Sequence, residues 1–207
     1  MLDSERITNQ AWRRAAADFG YDMTAEVARE CVGTSPPIAE IIYKKYLGQD
    51  FPYHAVRQRK AAYFQEQIYR EGLEVKAGLL ELLDLLDSRG IRKAVASSTE
   101  QPAVNERLSM TGLLPRFDVV VAGNDVKHVK PAADLFLEAA RRLQVGADNC
   151  LVIEDTPFGV IAALRAKIPA ILVPDLAPIP ADLSSLTVGV FPSLVEVRQF
   201  LLDQDLK

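Results

Sequence analysis

The 207-residue chain is predicted to adopt an α/β fold, a doubly wound parallel sheet with a small helical bundle in its N-terminal third. Three observations lead there. Everything from about Gln10 to Arg70 reads as helix. After Gly72 the pattern changes to helices alternating with short strands. Those strands are apolar on both sides. Alternation of strand and helix argues for a parallel sheet with helices on both faces, and two-sided apolar strands fit burial on both faces.

In the helical part, Trp12, Ala15, Ala16 and Phe19 recur at helix spacing and Gly20 is a plausible stop. A second helix surrounds Ile38, Ile41, Ile42 and Tyr46, and a third runs from about Ala55 to Arg70, with breaks at 33–37 and 48–52. After Gly72, Leu79, Leu82, Leu83 and Leu86 form one helical stripe that ends at Gly90. Strands are expected over 91–96, 117–122, 150–153 and 170–173, with a fifth at 188–191. Helices are expected over 102–110, 131–143 and 158–166, with a closing helix at 194–202. Pro102 sits in the first turn of its helix, where a missing N–H costs nothing.

A formal net charge of -4 leaves no electrostatic footprint for nucleic acid or an anionic membrane. No apolar run approaches the roughly 20 residues of a bilayer span. Cys31 and Cys150, like His54 and His128, are too far apart in sequence to suggest a local metal site or a disulfide framework. The expectation is a cytoplasmic protein, monomeric or weakly dimeric.

In parallel α/β sheets ligands bind at the carboxyl ends of the strands. The first strand ends in Ser97-Ser98-Thr99, the second leads to Gly123-Asn124-Asp125 and Lys130-Pro131, and the third ends in Glu154-Asp155-Thr156. Each group alone reads as helix-capping or turn chemistry. Together, on successive strands, they make a kit for a phosphate and a divalent metal. A hard cation shares carboxylates with phosphate oxygens, a lysine is a point charge for phosphoryl oxygens, and a hydroxyl with backbone N–H groups cradles the anion.

On these motifs the chain resembles the haloacid dehalogenase-like superfamily, in the branch of β-phosphoglucomutase and phosphoglycolate phosphatase. VASSTE is similar to the second motif, NDVKHVKPAADLF to the third and LVIEDTPFGVIAA to the fourth. The resemblance implies a Rossmann-like core over 1–9 and 72–207 and a helical cap domain over 10–71. It makes Ser97 and Lys130 catalytic phosphate-binding groups, Glu154 and Asp155 the residues of a Mg²⁺ site, and Ser98, Ser4 and Thr8 secondary substrate contacts. It implies a Mg²⁺-dependent phosphatase of a small sugar or polyol phosphate, working through an aspartyl-phosphate.

There are departures. Val129 stands where a glycine often precedes the lysine, and Ala133 where a second proline is usual. Ala77-Gly78 replaces Pro-Gly, and Ala166-Lys167 replaces Ala-Gly. Thr8 stands where mutases of the branch commonly carry a histidine, which favours a phosphatase. The opening Met1-Leu2-Asp3-Ser4-Glu5 matches only the tail of the first motif. Asp3 is then not the nucleophile, and the nucleophile and general acid/base are absent from these 207 residues. The expectation is an inactive chain whose parent enzyme is longer by one strand, Met1 being an internal methionine of that parent. The missing strand would be central, and each pairing group left unsatisfied costs about 1–3 kcal/mol against a net stability of roughly 5–15 kcal/mol. The alternatives are a catalytically silent phosphate- or partner-binding relative, a β-phosphoglucomutase-like mutase, and a dehalogenase. The last is disfavoured by the paired carboxylates.

Overall fold

The computed structural model describes residues 1–204 except 33, 35 and 178. The chain falls into two compact units, one helical and one α/β.

The helical unit comprises Leu2–Glu74 with Leu176 and Ala177. It contains α1 (Ser4–Asp18), α2 (Ala25–Glu30), α3 (Pro36–Leu47) and α4 (Tyr53–Glu71). Helix α1 starts six residues before the expected Gln10, because Ile7 continues its buried stripe of Ala11, Trp12, Ala15 and Ala16 by one more turn. The core is aromatic. Trp12 lies 4.6 Å from Tyr43 and 5.8 Å from Tyr53, ring centre to ring centre, and Tyr43 lies 5.8 Å from Phe51. At the rim, Arg14 and Arg59 lie 3.7 and 4.6 Å from the centre of the Tyr63 ring. The Tyr63 hydroxyl donates to Asp18 at 2.6 Å, so α4 is tied to the end of α1. Within the expected break at 33–37, positions 33 and 35 lie outside the described residues. Pro36 and Pro37 open α3, where missing N–H groups cost nothing.

The α/β unit comprises Met1, Val75–Asp175 and the chain from Ile179 onward. Residues 2–9 are contiguous with α1 in the helical unit, and only Met1 of the first nine groups here. The order is α5 (Leu79–Ser88), β1 (Ala94–Ala96), α6 (Gln101–Met110), β2 (Val119–Val121), α7 (Asp134–Leu143), β3 (Val152–Glu154), α8 (Pro157–Arg165), β4 (Ala170–Leu172), α9 (Ala181–Ser184), β5 (Gly189–Val190) and α10 (Leu194–Leu202). Every strand expected from the sequence is present and shorter than expected. All pair in parallel, with Ala94 opposite Val119, Val152 opposite Ala170 and Ile171 opposite Gly189.

The strands form two sheets, β1-β2 and β3-β4-β5, instead of one. The ladders stop at β1 and at β3, and burial follows. All of β4 is buried, whereas Ala94 and Ala96 of β1 and Ile153 of β3 keep partial exposure. Two-sided burial, expected of every strand, therefore holds for β4 and fails where the ladders stop.

Helix α7 covers one face of both sheets. Its Leu135 and Ala139 pack with Val121, and its Phe136 packs with Val152, Ala162 and Ile168. Ala96 joins both clusters. At the other end, Gly78 has φ +82° and leaves no room for a side chain, since a Cβ would meet the Val195 nitrogen at 2.5 Å. The glycine kept in Ala77-Gly78 is thus the one α5 needs to pack on α10.

Lys167 is a different case. It follows α8 at φ 58°, in the left-handed region that favours glycine. That conformation costs an L-residue roughly 1–2 kcal/mol, against about 0.5–1 kcal/mol of extra unfolded-state freedom for glycine. Lys167→Gly is predicted to raise stability by about 0.5–1 kcal/mol, and Lys167→Ala to leave it unchanged, in urea denaturation.

Candidate active site

Four strand ends of the α/β unit carry the candidate site. At the end of β1 the Ser97 N–H donates to Val121 O at 2.9 Å, so the serine is held by the ladder itself. Its Oγ accepts the Thr99 N–H at 3.1 Å. The hydroxyl oxygen is fixed by that bond and the O–H remains to donate to an anion.

The end of β2 is brought to the same place by Gly123. A Cβ there would overlap the Ser98 carbonyl oxygen and touch Val129 at 3.4 Å. The Gly123 N–H donates to Thr99 O at 2.8 Å, and Asn124 Oδ1 accepts the Gln101 N–H at 2.8 Å at the start of α6. Asp125 turns back to accept the Ala122 N–H at 2.8 Å, and that bond, with Arg142 beside it, holds its carboxyl below the usual range. Asp125 is thus committed to the turn.

Lys130 reaches from the β2–α7 connection to the end of β3, where its ammonium pairs with Glu154. Its Nζ also lies 4.9 Å from the centre of the Phe136 ring. Glu154 is the single buried charged residue among the described residues, 8% exposed. Besides Lys130, its carboxylate accepts the Asp155 N–H and the Thr156 hydroxyl, each at 3.2 Å. The Thr156 hydroxyl in turn accepts the Gly159 N–H at 3.1 Å and caps α8. Three donors of the protein thus converge on this carboxylate.

Asp155 is the carboxylate at this edge under electrostatic stress. Burial and then the Glu154 charge push its carboxyl above the usual carboxylate range, with the Met1 ammonium and Lys130 opposing and Asp175 adding to the rise. Asp175 follows β4 and pairs with Lys76 at 2.9 Å. Asp175 and Gly159 have no signal of their own in the sequence, because their parts depend on which strand ends become neighbours.

Ser97, Ser98, Lys130, Glu154 and Asp155 thus sit on strand ends of one unit. Ser4 and Thr8 lie four residues apart on α1 in the helical unit, both half-buried. Several cations of the helical unit have local partners. Lys44 pairs with Glu40 at 2.7 Å, Arg59 with Asp18 at 2.8 Å, and Lys45 and Lys60 lie against Tyr46 and Phe64. The Cys31 thiol is pushed up to about 11 by burial, which keeps it protonated and unreactive.

The fit of this edge to Mg²⁺ follows from its donors. Among the described residues no group of three His, Cys, Asp or Glu side chains could hold a metal by itself. Mg²⁺ binds through one or two carboxylates together with water and phosphate oxygens. Asp155 suits that role, since a cation would relieve the charge that Glu154 and burial impose on it. Glu154 is bound to Lys130 and fits a supporting role behind it.

A sequence profile of the haloacid dehalogenase-like hydrolases matches residues 1–173. The chain belongs to this family. Two curated relatives are similar over most of their length. A phosphorylated carbohydrates phosphatase of Thermotoga maritima is 31% identical over 173 residues, covering 81% of this chain and 77% of the relative. The fructose-1-phosphate phosphatase YqaB of Escherichia coli is 35% identical over 178 residues, covering 83% and 89%. Among solved structures, CbbY from Rhodobacter sphaeroides in complex with phosphate superposes with a TM-score of 0.79 at 23% identity, covering 95% of this chain and 91% of that one. The β-phosphoglucomutase pgmB of Clostridium difficile superposes at 0.78 with 21% identity, covering 98% and 91%. These two likenesses show the shared fold.

The raised carboxyl of Asp155 has a thermodynamic consequence. A carboxyl whose pKa is higher folded than unfolded costs stability once both states are ionised, and costs nothing once both are protonated. In metal-free buffer, Asp155→Asn is predicted to stabilise the protein at pH 7, with the gain lost as pH falls from the raised folded value towards the ordinary aspartate value. Thermal unfolding of both proteins at a series of pH values from about 3 to about 8 measures it.

Proposed function

We propose that these residues form the anion-binding half of a phosphatase site for a small phosphorylated metabolite, a sugar or polyol phosphate. The observations that carry this are the ion pair that anchors Lys130 to Glu154, next to Asp155, and the Ser97 hydroxyl held at the end of β1. The phosphatase relatives, matched over more than three quarters of their length, support the same chemistry.

In this reading Ser97 donates its hydroxyl proton to a phosphoryl oxygen. Lys130 places one positive charge against the same group, where negative charge must be neutralised in transfer. The Lys130 ammonium has three protons, so donating to Glu154 leaves it able to donate to phosphate as well. Asp155 would hold Mg²⁺, which when bound neutralises phosphoryl charge. Glu154 supports both neighbours. The helical unit acts as the cap that chooses the substrate, with Ser4 and Thr8 as contacts.

The covalent step requires the nucleophilic aspartate of the family's first motif, and these 207 residues are proposed to be inactive without it. Hydrolysis of a panel of sugar phosphates with Mg²⁺ tests this on two proteins, the 207-residue chain and the chain preceded by a strand carrying the first-motif aspartates. Activity in the longer protein alone is the expected result. Ser97→Ala in that protein should lower kcat/KM by about 10²–10³-fold, and Lys130→Met by at least as much. Turnover by the 207 residues alone would overturn the account of the nucleophile. Inactivity of both, in a folded longer protein that binds phosphate, would favour a silent binding relative.

A further inference from the structure

The Lys130–Glu154 pair depends on a residue that carries no side chain. A Cβ built on Gly159 would overlap three atoms before any others, the carboxyl carbon and both oxygens of Glu154. Gly159 has no positive φ, so its backbone does not require glycine. It lies in the first turn of α8, where alanine is the better helix former by about 1 kcal/mol. Local helix energetics therefore favour alanine, and the three atoms nearest to a side chain at that position all belong to Glu154.

We propose that Gly159 is a positioning residue: its missing side chain is the space in which the Glu154 carboxylate lies, and this seat aims the carboxylate at Lys130. Three contacts close the arrangement. The Gly159 N–H donates to Thr156 Oγ1, the Thr156 hydroxyl donates to Glu154, and Glu154 holds Lys130. The first turn of α8 thereby sets where the cation stands, although Gly159 is 29 positions from Lys130 in sequence. Filling the seat turns the carboxylate out and releases the ammonium. The importance of this for turnover rests on reading Lys130 as the phosphate-binding cation. The spacing itself does not.

Competitive acetylation of lysines, read residue by residue by mass spectrometry on the folded 207-residue chain, tests the proposal without any catalytic assay. Exposed Lys127 serves as the internal reference. In the unsubstituted protein Lys130 should react well below Lys127. Gly159→Ala should raise the Lys130 rate by about fivefold to tenfold with Lys127 unchanged. Glu154→Ala should raise it similarly, and adding Gly159→Ala to Glu154→Ala should raise it no further. Thermal unfolding of the same four proteins gives a second reading, because a double-mutant cycle isolates the coupling. Gly159→Ala should destabilise the parent and be neutral or stabilising beside Glu154→Ala, where the seat is vacant. A general packing fault in α8 would not reverse sign in this way. An unchanged Lys130 rate in folded Gly159→Ala, or an equal penalty in both backgrounds, would overturn the proposal. Inorganic phosphate, added to the unsubstituted chain, tests the other reading separately. It should protect Lys130 from acetylation, and failure to protect would remove the phosphate role while leaving the spacing intact.

Discussion

The contact between Lys130 and Glu154 crosses from one sheet to the other. Lys130 belongs to the connection after β2 and Glu154 ends β3, and the two sheets share no ladder. Their connection runs through side chains, namely the Phe136 and Leu135 faces of α7, the bond from Arg165 to Pro131 O at 2.9 Å, and this ion pair. A buried pair is weak grounds for net stability, because desolvation offsets the attraction. Loss of one partner is another matter, since it strands a charge in the interior at about 3–5 kcal/mol. Each partner therefore constrains the other, and the strand ends that hold them are constrained too.

Several features follow from seating that pair. Thr156 caps α8 and donates to Glu154 with the same hydroxyl. Gly159 leaves the carboxylate its space. Phe136 lies beside the ammonium, its ring centre 4.9 Å from Nζ. What the pair does not resolve is Asp155, which sits beside Glu154 with its own charge raised in energy by burial. Two adjacent carboxylates are thus treated oppositely. One is satisfied by the protein, and the other keeps a capacity for a cation. Stability forgone at one carboxylate is a common mark of a functional position.

Much of this was legible in the sequence because parallel α/β folds place function by rule. Val119–Val121 and Ala170–Leu172 declare strands by composition, and the residues that follow them must lie at the ligand edge. Helix α5 was legible from its leucine stripe. Helix α2 was not, because six residues are too few to show a period. The division of the sheet could not be read from residues 91–96, which look the same whether or not their strand has a second neighbour; the expectation of a missing central strand comes from the opening residues. Glu154 was legible as acidic and placed at a metal, but its partner across 24 positions could not be read. Gly159 was hidden for a related reason. A glycine in a helix reads as a local weakness, and its use is apparent only when another strand end fills the space above it.

The central claim is that these strand ends form one anion site organised by Lys130 and Glu154, and amide chemical-shift mapping during titration with inorganic phosphate tests it most directly. The account predicts that the shifts concentrate on 97–99, Lys130 and 154–156, saturate together with a single apparent Kd, and vanish in Lys130→Met. Shifts that saturate elsewhere, or that persist unchanged in Lys130→Met, would contradict it.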